Sequence, residues 1–376
     1  MKHSGKAKIV FLLLVGAALL AVGYWGNSLH LNETYKTKYE ESVLVRFDME
    51  IFDTITTNYW QKVNEPDLAK LYQLALTRAA STTEEVLPSA TRTGVAEMLS
   101  KTFERLPEEA RKEISINTGI LVLTNLAPLG RSGLLSDRQE TAFRDNVNNI
   151  NPETGLAEPT LSSKMLSGGT LYMDLSKISN TTLQEVANRF GEFEGQTPPT
   201  GLIIDVRSNV GGALDFAKYF FAFFIGPNQY AYDLFHQGDF DPERTPNIAK
   251  VDFLEKLQNI VVLIDESSQS TSELLATMFQ KFNLAKVIGV QSRGWGTVEN
   301  TFPLETNIGD GNKYSVLLVH SLTLRSDNEP IETRGVEPDI NLSDKDWRTQ
   351  ISRTFSSQSF IKDLLQVLEK RKNAGE

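Results

Sequence analysis

IVVLIDESSQSTSELLATMFQKFNLAKVIGVQSRGWGTVE, residues 260–299, is the stretch around which the rest of the chain is organised. Ile260 to Ile264 is an unbroken apolar run of the kind that forms a strand buried on both faces. A serine-rich loop, Asp265 to Glu273, opens a helical pattern that lasts to Phe282, and Val287 to Val290 is apolar again. The same grammar stands upstream, where Leu202-Ile-Ile-Asp-Val206 leads through Arg207-Ser-Asn-Val-Gly-Gly212 into a helical pattern from Ala213 to Phe224. Strand, tight turn and helix in succession predict an α/β core.

Two features of this core allow both a structural and a chemical account. Ser267, Ser268, Ser270, Thr271 and Ser272 lie at a helix start, where hydroxyl oxygens accept from the unpaired N–H groups of the first turn. The positive end of the helix and its free backbone donors would also favour a negative charge developing on a substrate oxygen. Gly211-Gly212 permits a tight turn, and it equally lets peptide N–H groups approach a substrate without a side chain between them.

The surrounding composition excludes several chemistries. With 376 residues, the chain has room for a large core, and its formal charge of -10 provides no basic footprint for nucleic acid. The absence of cysteine removes disulfides, thiolate ligands and a cysteine nucleophile. His3, His30, His236 and His320 are the four histidines, and none stand at metal-ligand spacing, so no metal or other cofactor is expected.

At the N-terminus, Lys2, Lys6 and Lys8 precede the uncharged run Ile9 to Trp25. At about 1.5 Å per residue this run covers roughly 25 Å of a hydrocarbon core near 30 Å thick. The basic flank predicts a cytoplasmic N-terminus and an extracytoplasmic body anchored by a single pass. The small-x-small triplet Ala21-Val22-Gly23 supports the rival reading, a cleaved signal peptide and a secreted chain.

The expected organisation is a flank and anchor (or signal) over 1–26, a tether over 27–40, a helical subdomain over 41–116, an irregular linker region over 117–165, the α/β core over 166–345 and a C-terminal helix over 346–376. Within these, Leu68, Leu71, Leu74 and Ala75 are expected on one apolar helix face, Gly119 to Thr124 as a strand, and Thr181 with Gln184 as a capping box. Tyr314–Val319 and Leu322–Leu324 read as two strands.

Three segments taken together carry a family resemblance. Gly201-Leu-Ile-Ile-Asp-Val-Arg-Ser-Asn-Val-Gly-Gly212, Ser268-Gln-Ser-Thr-Ser-Glu273 and Arg334-Gly-Val-Glu-Pro-Asp339 resemble, in order and spacing, the motifs of the tail-specific (C-terminal processing) serine peptidases. The resemblance implies a core like that of crotonase and Clp-type peptidases, built of strand-strand-helix units, beside the N-terminal helical subdomain and transmembrane helix. It also implies a serine–lysine dyad with Ser270 as nucleophile, and an oxyanion hole formed by the N–H groups of Gly211, Gly212 and Thr271. The expected ligand is a polypeptide, for instance a protein C-terminus. A lysine acts as base only when its surroundings lower its pKa toward neutrality.

The chain departs from the pattern at defined positions. Val210 stands where the family has proline. Trp295, in Gly294-Trp-Gly296, occupies the place of the lysine, and Glu299 that of the glutamine that orients it. Gly130-Arg-Ser-Gly-Leu-Leu135 resembles only a fragment of the family's PDZ module. These departures leave three functional readings: a serine peptidase with impaired chemistry or a substitute base (either Glu299 or a residue placed only by the fold), a pseudopeptidase that binds a polypeptide or partner, and a small-molecule binder on the same fold.

Overall fold

The structure is a computed structural model that describes residues 38–372. The expected anchor or signal at Ile9 to Trp25 and most of the tether lie outside the described residues. Among those described, no helix is long and apolar enough to cross a membrane.

Four helices come first: α1 (Val43–Asn58), α2 (Glu65–Ala79), α3 (Arg92–Arg105) and α4 (Glu108–Thr124). Asn64 caps α2 by accepting from Asp67 N–H at 3.3 Å. The buried stripe of α2 is Leu68, Ala69, Tyr72, Ala75 and Leu76. That spacing of three and four turns Leu74 away, and contrary to expectation it is 68% exposed. Gly119 to Thr124, expected as a strand, forms the last turns of α4 instead. Its apolar residues serve helical spacing, with Val122 and Leu123 buried one turn beyond Thr118 and Gly119.

The linker region, expected from the sequence to be loop with one helix near Gln139 to Val147, contains that helix as α5 (Asp137–Val147) and, beyond expectation, the strands β1 (Gly133–Ser136) and β2 (Leu161–Met165). The core follows with β3 (Thr170–Leu175), α6 (Asn180–Gly191), β4 (Gly201–Asp205), α7 (Asp215–Ile225), β5 (Tyr230–His236) and β6 (Asp239–Arg244). Then come β7 (Ile260–Ile264), α8 (Thr271–Lys281), β8 (Lys286–Gly289), β9 (Thr297–Pro303), β10 (Tyr314–Thr323) and β11 (Ile340–Asn341). The C-terminal segment holds two helices, α9 (Trp347–Thr354) and α10 (Gln358–Lys372). The cap of α6 sits at Ser179, whose N–H donates to the Thr182 hydroxyl at 2.8 Å, rather than at Thr181 with Gln184.

Six strands make the central sheet in the order β11-β8-β7-β4-β3-β2, parallel throughout except for the antiparallel edge strand β2. Alternate residues point to opposite faces. Leu202, Ile204, Val262 and Ile264 pack under α6, α7 and α8, whereas Ile203, Val261 and Leu263 pack against α9 and α10. Coverage on both sides explains why β4 and β7 are apolar at every position but Asp205.

A second, antiparallel sheet runs β1-β10-β5-β6, with β9 also paired to β10. The two strands expected between Tyr314 and Leu324 are one strand with a register shift between Val319 and Ser321. Val316, Leu318, Val319 and Leu322 of β10 join the core of the helical subdomain. The loops after β4, β7 and β8 leave the same, carboxyl end of the parallel strands. That end is where open α/β sheets place their sites.

Candidate active site

Ser270 precedes α8 with φ 56° and ψ -125°. Side chains rarely adopt this backbone, and holding it costs about 1–3 kcal/mol. Its neighbours explain how it is held. Gly211 (φ +82°) backs onto it so closely that a Cβ there would lie 2.7 Å from Ser270 Cβ and 2.9 Å from Thr271 N. At Gly212 (φ +144°) a Cβ would lie 1.7 Å from Ile178 O. Both glycines are therefore required by close approach: Gly211 brings the loop after β4 against the start of α8, and Gly212 brings it against Ile178.

The hydroxyls of this loop separate into clear roles. Ser268, fully buried, donates to Val206 O at 2.7 Å, and Ser272 donates to Asn209 Oδ1 at 2.8 Å. Thr271 donates to Gly212 O at 3.0 Å, while Ser267 is exposed. Ser270 is half-buried, and among the described residues no lysine, histidine or carboxylate side chain bonds to its hydroxyl.

Asn209 and Glu273 do the joining. The Asn209 side chain donates to Leu175 O and accepts from Gly211 N–H at 2.8 Å, and its carbonyl accepts from Gln269 N–H at 3.0 Å. One buried residue thus links β3, the glycine turn and the serine loop. The Asx turn from Asn209 to Gly211 engages the Gly211 N–H, one of the three expected oxyanion donors, with the Asn209 side chain. Gly212 N–H and Thr271 N–H carry no hydrogen bond to any of the described residues.

Glu273, also fully buried, accepts four bonds: Ser270 N–H at 2.9 Å and Trp295 N–H at 2.9 Å on Oε2, and the Ser292 hydroxyl at 2.5 Å and Gly294 N–H at 2.7 Å on Oε1. Burial raises its carboxyl above the ordinary range, and the four donors work against that rise. A single carboxylate oxygen therefore bridges the backbones of Ser270 and Trp295, which are 25 residues apart.

Around Trp295 lies a second cluster. The Arg131 guanidinium lies 3.2 Å from the centre of the indole, and it donates to Thr297 Oγ1 at 3.2 Å and to Glu332 Oε1 at 3.1 Å. The other Glu332 oxygen accepts from Gly296 N–H at 2.8 Å. Glu299, on β9, makes no hydrogen bond to Ser270; one of its oxygens is buried without a partner, and burial raises its carboxyl. Lys281 is no substitute base, since it ends α8, about 16 Å along the axis from Ser270, and donates to Tyr230 and Asn328. Lys286 donates to Asn283 at 3.4 Å. Among the described residues no group of three or more histidines and carboxylates could hold a metal ion.

Residues 169–342 match the model of peptidase family S41. This segment, just under half of the chain, is of that family, the tail-specific serine peptidases. It is similar to the carboxy-terminal processing protease CtpB of Bacillus subtilis, 28% identical over 211 residues, covering 56% of this chain and 41% of that protein. A probable CtpA-like serine protease of Staphylococcus aureus is 30% identical over 141 residues, covering 38% of this chain and 27% of its own. The matched part thus spans less than half the length of these curated relatives. A lipoprotein from Streptococcus agalactiae has the same fold, with a TM-score of 0.51 and 14% identity, over 86% of this chain and 99% of its own.

Three residues that support the S41 site were not singled out from the sequence. Glu273 had a local signal, since a glutamate three residues beyond a helix-capping serine reaches back to the cap N–H. Asn209 stood inside a recognised motif without a role attached. For Arg131, which lies 164 residues before Trp295, no local pattern exists.

Proposed function

We propose that this S41 protein keeps the nucleophile, Ser270, but lacks the lysine general base, so that it binds a polypeptide at the Ser270 cleft and hydrolyses it slowly or not at all. The observation that carries this reading is the pairing of Ser270 with Trp295. Glu273 bonds both backbones through one oxygen, so position 295 lies beside the serine, and the side chain there is an indole with no proton-accepting nitrogen. The uncommitted N–H groups of Gly212 and Thr271 support an oxyanion site at the start of α8.

In a competent site the Ser270 oxygen would attack the peptide carbonyl and pass its proton to a base, while the two N–H groups stabilise the resulting oxyanion. Without the base, the attack loses roughly 10²- to 10⁴-fold in rate. The backbone donors of Gly212 and Thr271 are independent of the base, and on this reading they are what holds a substrate carbonyl. Glu299 has a raised carboxyl but no contact with Ser270, which speaks against it as the substitute.

Labelling with a fluorophosphonate tests the reading. Slow modification of the purified protein that disappears in Ser270→Ala is expected, together with binding of a flexible peptide and little or no cleavage. Rapid turnover of that peptide, lost in Ser270→Ala, would overturn the assignment of a missing base. The proposed place of action is outside the cytoplasm, on the strength of the Lys2, Lys6, Lys8 flank and the apolar run after it. Externally added protease should digest the body in spheroplasts; protection of the body would refute that placement.

A further inference from the structure

Arg131 lies outside the serine loop and the three core motifs, in the short stretch that resembles a PDZ fragment, yet its side chain is only 15% exposed and is spent on the Trp295 segment and on Glu332, which holds that segment. It covers one face of the indole, bonds Thr297, and pairs with Glu332, which itself holds Gly296 N–H. Residues 295, 296 and 297 are thus gripped from one side by the Arg131–Glu332 pair, while Glu273 grips 294 and 295 from the other.

The backbone that carries Arg131 is equally constrained. Gly130 N–H donates to Thr124 O at 2.9 Å, Arg131 N–H to Pro128 O at 3.3 Å, and the side chains of Tyr59 and Trp60 both donate to Ala127 O. Tyr59 and Trp60 directly follow α1, and Thr124 ends α4. The guanidinium therefore reaches Trp295 from a loop fastened to the helical subdomain.

We propose that Arg131 is a positioning residue for the Ser270 site: it holds Trp295 and the segment 294–297 in one closed arrangement, and through it the helical subdomain sets access to the serine. A guanidinium suits this task because it stays charged at every working pH and offers a planar fork to Glu332 and Thr297 while its face lies on the indole. The inference rests on the reading of Ser270 given above, and the test separates the two.

In the full chain, acrylamide quenching of the Trp295 signal is obtained as the difference from Trp295→Phe, alongside the rate of fluorophosphonate modification at Ser270. Arg131→Ala is expected to raise the quenching constant about twofold and the labelling rate about tenfold, as one stacked cation and its pairing are lost. Arg131→Lys, which returns a cation without the fork, should fall between wild type and Arg131→Ala. Arg105→Ala, which removes the Glu85 pair within the helical subdomain, controls for stability loss and should move neither reading.

Unchanged Trp295 quenching in Arg131→Ala overturns the proposal, as does an equal change in Arg105→Ala. If no variant labels at all, the nucleophile reading falls while the quenching comparison still decides the role of Arg131. Should Arg131→Ala fail to fold, Arg131→Lys carries both measurements.

Discussion

Position 295, where the proposed reading locates the missing base, carries an indole, and its surroundings suit a lysine. The position is half-buried, its N–H is fixed to Glu273 and a permanent cation, Arg131, lies against the side chain. Partial burial and a neighbouring positive charge both push a lysine toward its neutral form, the one that accepts a proton. Trp295→Lys is therefore expected to raise hydrolysis of a flexible fluorogenic peptide by about 10²- to 10⁴-fold, the usual contribution of a general base. A variant that folds and binds the peptide but gains nothing would mean that the groove, and not only the base, has changed. Ser270 and Trp295 were both legible in the sequence, because a motif and a count of residues suffice to locate them. Asn209, Glu273 and Arg131 were not, since their importance comes from bonds to segments far along the chain. The engagement of Gly211 N–H was hidden for a different reason: it depends on which way one asparagine side chain turns.

Among the elements, α8 and the loop after β8 stand in a fixed relation because Glu273 accepts four donors. Glu273→Gln tests this. An amide has one oxygen, so one pair of donors, either Ser270 with Trp295 or Ser292 with Gly294, must face an NH₂ group. Leaving buried donors unsatisfied costs about 1–3 kcal/mol each. The urea midpoint should fall by a matching amount, with fluorophosphonate labelling of Ser270 weakened as well. A loss under about 0.5 kcal/mol would show that the bonds are replaceable. Elements with strong periodicity were legible in the same core: β4, β7 and α8 fall close to where apolar runs and helix signals place them. The failures have physical causes. Gly119 to Thr124 is apolar enough for a strand, but its burial follows helical spacing in α4. Strand β1, with four residues, is too short to show a period, and its place is set by pairing with β10.

Across the whole molecule, the helical subdomain joins the second sheet through Trp60, whose backbone partners, Val319 and Gln237, are next in sequence to a pair of histidines on β10 and β5. The His236 and His320 rings stack 4.3 Å apart at 13°, and His236 Nδ1 donates to His320 O at 2.6 Å. Alongside, Trp60 N–H donates to Val319 O at 3.1 Å and Gln237 N–H to Trp60 O at 2.7 Å, joining the end of α1 to β10 and β5. Burial, followed by the neighbouring His236, pushes His320 down to about 4, and Asp241 only partly opposes this. The folded state then binds fewer protons than the unfolded chain between roughly pH 6.5 and 4. The stabilisation is complete above the unfolded value and is lost as pH falls through the folded one. Because the ring is partly exposed, solvent screening reduces the effect to about 1–2 kcal/mol. Phenylalanine preserves the stack on His236 and removes the titration. Urea unfolding at pH 7 and pH 4.5 should therefore show wild type losing about 1–2 kcal/mol more than His320→Phe over that interval. Equal losses in the two proteins would show that His320 does not sense pH at this junction. A larger loss in His320→Phe would place the acid sensitivity elsewhere in the fold.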